Sequence, residues 1–532
     1  MSIFYAAQRF RPDISSWLKG VPILTSISFT RRGALASVAS LISAPSIAAP
    51  AVLRNGSRRD RPNVLLISID DLNDWVGWLG GYPTAKTPNI DRLAAAGAAM
   101  TRAYTVVPIC LATRNAMLFG KAPWSTGCYT NDNVDWPDIP AFDGRASLPR
   151  CFRDQGYKTF GTGKTFHVGW SSRHGLDAHN DPRAWSEFEP LDQFIQPQGS
   201  GGKYSYKAIG QVDRTTDDLR MKWLVSNVLD KRHDRPIFVA AGINKPHLRW
   251  SVPQHYFDLH PLDEVVYPLG ALDVEHHRLL KNEDVADLPK AGRAMARQTF
   301  ATHAAFKADK GLWLNAVQGY LAACSAADHS VGILLDGLRN GPNAANTIVA
   351  LWSDHGWQLG EKLVWQKHTL WERALHIPVV MAGPGIANGR RHDPFSGLDI
   401  YPTLCGLAGI DAPDDLDGLD QSAMIRGDSA SKRNMALSSW ALDIEEGFSV
   451  ADGPNWREDV HFSARTQTHR LIRYGNGDLE LYDHRTDPWE WRNVAETPAN
   501  QDLIKRISDR MPRPQDLAFP AAPDGRGAGI ED

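Results

Sequence analysis

Val64-Leu65-Leu66-Ile67-Ser68-Ile69-Asp70-Asp71 is the stretch that decides the fold. Its apolar residues are nearly consecutive, without the alternation of a strand that is wet on one side, and the run ends in two acids. That pattern fits a strand buried on both faces of a parallel sheet. Acids just past the carboxyl end of such a strand sit where open α/β sheets hold their ligands. Further short apolar runs at 158–162, 236–241, 347–352 and 377–381 are spaced by longer helical patterns, including 216–229 and 320–338. Residues 88–97 carry proline near the start and glycine at the end, the start and stop signals of a helix. The alternation predicts an α/β fold, a mostly parallel sheet flanked by helices. Near the end of the chain, residues 471–474 and 479–483 around Gly475-Asn476-Gly477 predict a short antiparallel hairpin. Residues 411–418 are acidic and punctuated by Pro and Gly, which predicts a surface loop.

With 532 residues and 42% hydrophobic composition, the chain can bury a large core. Its 58 basic and 61 acidic residues give a net charge of −3, which excludes a global positive field that would draw in nucleic acid. An anionic substrate must therefore be held by local cations. The five cysteines are widely spaced, unlike a disulfide framework or a zinc site, and Cys128, Cys151, Cys324 and Cys405 read as buried thiols. Residues 1–50 have the layout of a signal peptide: Arg31-Arg32, then an apolar run, then small residues. The twin arginines point to Tat export, although Ala34 stands where an aromatic is usual, and predict a periplasmic or secreted protein. No uninterrupted apolar run long enough to span a bilayer follows.

Three polar motifs directly follow predicted strands: Asp70-Asp71, Lys164-x-x-His167 and Asp354-His355. They should converge on one sheet edge. Cys110, opening Cys110-Leu111-Ala112-Thr113-Arg114, could bring a nucleophile there. Together with Arg61-Pro62-Asn63, Thr87-Pro88-Asn89-Ile90-Asp91-Arg92-Leu93, Gly163-Lys164-x-Phe166-His167, Lys245-Pro246-His247 and Ser353-Asp354-His355-Gly356, these blocks resemble the type I sulfatases. The resemblance runs from about Arg61 to about Asn493 and is closest to the iduronate-2-sulfatase-like branch.

That resemblance implies an alkaline-phosphatase-like catalytic domain over 61–425 and a small C-terminal subdomain over 426–515, the latter including Asp487-Pro488-x-Glu490 and Arg492-Asn493. It implies hydrolysis of a sulfate ester, the substrate being a sulfated carbohydrate. Cys110 would be oxidised to formylglycine, whose hydrate presents two hydroxyls on one carbon, one to attack sulfur and one to help expel sulfate. Asp70, Asp71, Asp354 and His355, with the Cys110-derived oxygen, would hold one Ca2+, and a carboxylate-rich set of this kind suits a hard cation over zinc. Arg114 would orient the hydrate, and Lys164 and Lys367 would clamp sulfate oxygens. His167 and His247 are the candidate proton donors, with His247 placed more readily beside the leaving group.

The chain departs from the family pattern at three positions. Ala112 stands where proline is usual, so the maturing partner is either the aerobic formylglycine-generating enzyme or a radical sulfatase-maturating enzyme, the kind known to accept alanine. Leu118-Phe119-Gly120-Lys121 replaces a Leu-Thr-Gly-Arg pattern; Phe119 removes a hydroxyl, while Lys121 keeps the charge but not the bidentate fork. The alternatives are a phosphonate monoester or phosphodiester hydrolase of the same superfamily, or a non-catalytic homologue that binds sulfated glycans. His174, His179, His233, His276 and His277 match no block and read as surface or satisfied histidines. Trp250, Trp357, Trp365 and Trp371 lie in or beside site blocks, and they read either as sugar-stacking platforms or as core.

Overall fold

Eight strands form the main sheet: β1 (Asn63–Asp70), β2 (Ala98–Met100), β3 (Lys158–Gly163), β4 (Glu187–Glu189), β5 (Ile237–Pro246), β6 (Thr347–Ser353), β7 (Val379–Ala382) and β8 (Gly389–Arg391). Their spatial order is β8-β2-β7-β6-β1-β5-β3-β4, and all pairings are parallel except those of β7. The computed structural model describes residues 61–131, 136–167, 181–189, 206–209, 214–273, 278–279, 282–442 and 456–518. The signal segment expected at 1–50 lies outside them, as do His174, His179, His276 and His277.

Strand β1 occupies the centre, and all eight of its residues are buried. Val64 and Leu66 enter one hydrophobic core while Leu65, Ile67 and Ile69 enter the other, which is why the run shows no alternation. Each such side chain contributes roughly 1.5–3 kcal/mol on burial, so the strand is fixed in place before any polar contact is counted. On one face the 31-residue helix Lys310–Asn340 fills the second core, its start capped by the Asp309 carboxylate on the amides of Gly311 and Leu312. Helices Cys110–Phe119, Leu148–Asp154 and Ile400–Ala408 pack the first.

Two details differ from the sequence expectation. The run at 377–381 forms a strand only from Val379, and that strand is antiparallel to its neighbours. The helix expected over 216–229 is α-helical to Leu224 and then widens into a π-helical turn, Val225–Leu229. There Ser226 and Asn227 side chains donate back to the carbonyls of Lys222 and Trp223, loosening the regular ladder.

The C-terminal hairpin belongs to a larger antiparallel sheet, Met435–Ala441, Val460–Thr466, His469–Arg473 and Leu479–Asp483, in that order. Arg470 docks it. This fully buried guanidinium donates to Glu372, to Glu490 Oε1, to Ser463 Oγ at 2.6 Å and to the Leu370 carbonyl at 3.4 Å. The loop bearing Lys367 is thereby pinned against the small sheet.

Candidate active site

Asp70 ends β1, and Asp71 turns off it with a left-handed backbone (φ 63°), a conformation that a short polar side chain tolerates. The turn is held from several sides. Asp71 N–H donates to Asp354 Oδ1 (3.1 Å), Leu72 N–H to Ser353 Oγ (3.0 Å), and the Tyr320 hydroxyl to the Asp71 carbonyl (2.7 Å). Asp354, just past β6, returns its own N–H to the Ile69 carbonyl at 3.2 Å. Adjacent parallel strands thus deliver both acid motifs to one edge.

Cys110 is the first residue of helix Cys110–Phe119 and is fully buried. Its Sγ lies 3.2 Å from His355 Nε2 and 3.3 Å from Lys367 Nζ, and that ammonium is also 3.3 Å from Asp71 Oδ1. A helix N-terminus adds its own partial positive charge at this point. One turn on, Arg114 contacts Asp70 (3.3 Å) and Asp354 (Nε 2.9 Å), and donates to the carbonyls of Lys164 and Thr165. Lys164 Nζ meets Asp70 Oδ2 at 2.5 Å. Its placement needs two glycines: a Cβ on Gly163 (φ +71°) would strike the Gly242 carbonyl, and one on Gly242 would strike the Lys164 backbone. Three carboxylates therefore face three buried cations.

Burial alone would raise the Asp70 carboxyl, but Lys164, His247 and Arg114 outweigh it and hold it well below the usual carboxylate range. Asp71 goes the other way: burial, with Asp70 and Asp354 adding, pushes it up to about 6 against Lys367 and His355. Burial likewise raises the Cys110 thiol, opposed by Lys164 and Lys367. An unmodified thiol here is thus kept protonated, a poor nucleophile.

Ligand atoms of Asp70, Asp71, Cys110 and His355 lie within 4.8 Å of one another, a grouping that fits a metal ion. Asp71 Oδ2 is buried and accepts no hydrogen bond, a costly state that a cation would relieve. Asp354, expected among the ligands, stands beside this group. Its Oδ1 accepts from the amides of Asp71 and His355, and its Oδ2 from Arg114. A second acid and histidine group, Glu372, His484 and Glu490, already holds the Arg470 guanidinium.

His247 is half-buried beside the cluster, with Nδ1 2.8 Å from the Leu248 carbonyl, and His167 is half-buried at the end of the loop after Lys164. Sequence reasoning gave no role to Tyr320 or Lys245. Tyr320 is one tyrosine within an apolar helix, and nothing local marks it. Lys245 stood in a quoted block: its ammonium donates to the carbonyls of Arg249 and His247, bracing the loop that presents His247. Burial pulls that ammonium down to about 8, with Asp217, Asp70 and Asp71 resisting.

Lys121 does not bring its charge to the site, because Gly120 takes a left-handed conformation that ends the helix and sends the ammonium to Asp417 at 2.6 Å. Phe119 packs in the core against Phe142 and Trp136, where a threonine hydroxyl would gain nothing. Trp250, Trp357, Trp365 and Trp371 are each at most 1% exposed, so they are core and present no face to a sugar. His233, by contrast, fits its expectation, with Nε2 2.9 Å from the Val228 carbonyl.

The mostly parallel sheet with its acid cluster at the carboxyl edge and its small antiparallel companion defines an alkaline-phosphatase-like α/β fold. The Sulfatase family profile matches residues 62–410, and that of the N-sulphoglucosamine sulphohydrolase C-terminal region matches 360–516. A sulfatase of Formosa agariphila is 31% identical over 472 residues, 85% of this chain and 87% of that protein. Human iduronate 2-sulfatase is 27% identical, over 70% of this chain and 74% of its own length. Among solved structures, the phosphonate monoester hydrolase of Silicibacter pomeroyi superposes with a TM-score of 0.68 at 20% identity, covering 85% of this chain and 94% of that one. The chain belongs to the sulfatase family and is a sulfuric ester hydrolase.

Proposed function

We propose that the protein removes sulfate from a sulfated carbohydrate, using formylglycine made from Cys110 and one Ca2+ held by Asp70, Asp71, Asp354, His355 and the modified Cys110 side chain. The observation that carries this reading is the position of Cys110: a buried sulfur at a helix start, in contact with His355 and Lys367, inside a four-residue ligand group. A thiol is a soft ligand for calcium, whereas its oxidised product offers oxygen to the same ligand group. The sugar class follows from kinship with a relative named for iduronate.

Bound together, the cation and the aldehyde hydrate supply positive charge toward sulfate oxygens and a hydroxyl nucleophile, respectively. The remaining work falls to the chain's own side chains. Arg114 locks Asp70 and Asp354 in place, since its contacts are with those carboxylates and two carbonyls. Lys164 and Lys367 neutralise the anionic ester, a contribution that grows in a dry site. His247, on the loop braced by Lys245, gives the proton to the departing sugar oxygen, and His167 assists at the rim. Maturation falls to a formylglycine-generating or radical maturating partner, and the protein works in the periplasm or outside the cell. No described helix is long and apolar enough to cross a membrane.

The test is mass spectrometry of the Cys110 peptide after co-expression with each type of maturating enzyme, with sulfate release from sulfated sugars measured in parallel. The aldehyde mass should appear with activity, and Cys110→Ala should abolish both. Full turnover by Cys110→Ala would sink the mechanism, and hydrolysis of aryl phosphonates but not matched sulfates would replace the substrate class.

A further inference from the structure

Strand β5 (Ile237–Pro246) carries two residues too many for the ladder near its end. Ile243 still pairs with Ile69 of β1, but Asp70 pairs with Pro246, and β3 stops at Gly163, opposite Gly242. Asn244 and Lys245 therefore form a bulge, and their amides turn to a single carboxylate oxygen. Asp217 Oδ2 accepts both, at 3.0 and 3.1 Å. Asp217 is itself fixed, 3% exposed in the first turn of helix Thr216–Leu224, with Arg220 Nη1 at 3.5 Å from its Oδ1. The next link reaches the site. His247 N–H donates to the Asn244 carbonyl at 3.0 Å, and the Lys245 ammonium donates to the His247 carbonyl at 3.4 Å. In the ring, Nδ1 donates to the Leu248 carbonyl at 2.8 Å, which leaves Nε2 to carry the proton that moves.

We propose that Asp217 is a positioning residue for the sulfatase reaction: by holding the amides of Asn244 and Lys245 it sets the bulge that aims His247 Nε2 at the leaving oxygen. The inference rests on the reading of His247 as the proton donor. Bulges beside active sites re-aim the side chains that follow them, and this one ends a single residue before His247. Asp217 bonds to backbone amides and to Arg220, so it acts through where His247 sits. Proton transfer needs the donor within hydrogen-bond reach of the departing oxygen, and a displacement of about 1 Å can cost roughly 10² in rate. A carboxylate oxygen has two lone pairs, enough for both amides at once.

The experiment compares the matured full-length protein with Asp217→Ala, Asp217→Ser, Asp217→Asn and His247→Ala on 4-nitrophenyl sulfate and on phenyl sulfate, whose phenol is the weaker acid and needs the proton more. In Asp217→Ala, kcat on phenyl sulfate should fall by roughly 10²-fold and kcat on the nitrophenyl ester far less. The ratio of the two rates is taken within one preparation, so misfolded or unmatured chains do not alter it. Asp217→Ser, whose hydroxyl is too short to reach both amides, should give the same selective loss and serves should the alanine variant not fold. Asp217→Asn keeps an oxygen for both amides and should recover most of the loss. Hydrogen exchange followed by mass spectrometry should quicken across Asn244 and Lys245 in Asp217→Ala. A selective loss confined to His247→Ala, or unchanged exchange, would overturn the proposal. Equal loss on both esters in His247→Ala would instead remove His247 as the donor, and the proposal with it.

Discussion

Lys367 and Cys110 are in direct contact, ammonium nitrogen to sulfur at 3.3 Å, although 257 residues separate them. The lysine also touches Asp71 and lies over the Trp357 ring, 5.5 Å from its centroid, so its position is set from three sides. A cation fixed next to the reacting atom and kept from water stabilises developing sulfate charge without reorganising. Lys367→Met should therefore lower kcat on an aryl sulfate by about 10²–10³, the loss typical of removing one preorganised donor. Metal content should stay near that of the parent. An unchanged kcat would remove Lys367 from the sulfate-binding groups.

Arg114 gives a stability prediction instead. It is fully buried and pairs with Asp70 and Asp354, so truncation takes the guanidinium from Asp354 and leaves Asp70 with Lys164 alone. Arg114→Ala should cost about 3–5 kcal/mol in urea denaturation, measured in chelator so that bound cation adds nothing. A loss of about 1 kcal/mol or less, the size of an exposed pair, would show that the acids find other partners.

Lys121 lies outside the site. Its salt bridge with Asp417 is partly exposed, with side-chain exposures of 17% and 24%, and it faces away from the cluster. Lys121→Ala should leave kcat/KM unchanged and shift stability by no more than about 1 kcal/mol. A large fall in kcat/KM would place the residue in the site.

The course of the Lys121 side chain marks where local pattern stops. The buried central strand was legible because five apolar side chains, divided between two faces, leave a run broken only by Ser68. The acids, Cys110 and His355 were legible because each follows a strand or opens a helix at a fixed spacing. The direction of β7 was not, since apolarity marks a buried strand without saying which way it runs. Where the Lys121 charge goes was not legible, because side-chain direction there is set by the left-handed Gly120, not by charge. Tyr320 escaped notice because its role is a single hydroxyl on the Asp71 carbonyl, made across the fold from a helix whose sequence reads as ordinary core. The two strands Met435–Ala441 and Val460–Thr466 also went unseen, and they are what turns a hairpin into the sheet that Arg470 docks.

His461 ties that sheet to pH. The ring is fully buried; its Nδ1 accepts from Gly475 N–H at 3.0 Å, which leaves Nε2–H to donate to the Leu442 carbonyl, also at 3.0 Å. Protonating Nδ1 would break the first bond and bury a charge, and desolvation accordingly pulls the imidazole down to about 4. In the unfolded chain the group titrates near 6.5, so between the two values the unfolded state binds more protons than the folded one. Its contribution is thus fully present above about pH 6.5 and is lost progressively as the pH falls toward 4. His461→Gln should lower stability at neutral pH yet flatten the acid limb of the stability curve, so parent and variant converge by a few kcal/mol between pH 7 and pH 4. Denaturant titrations across that range would show it, and parallel curves would mean that the imidazole titrates at the same pH in the folded and unfolded chains.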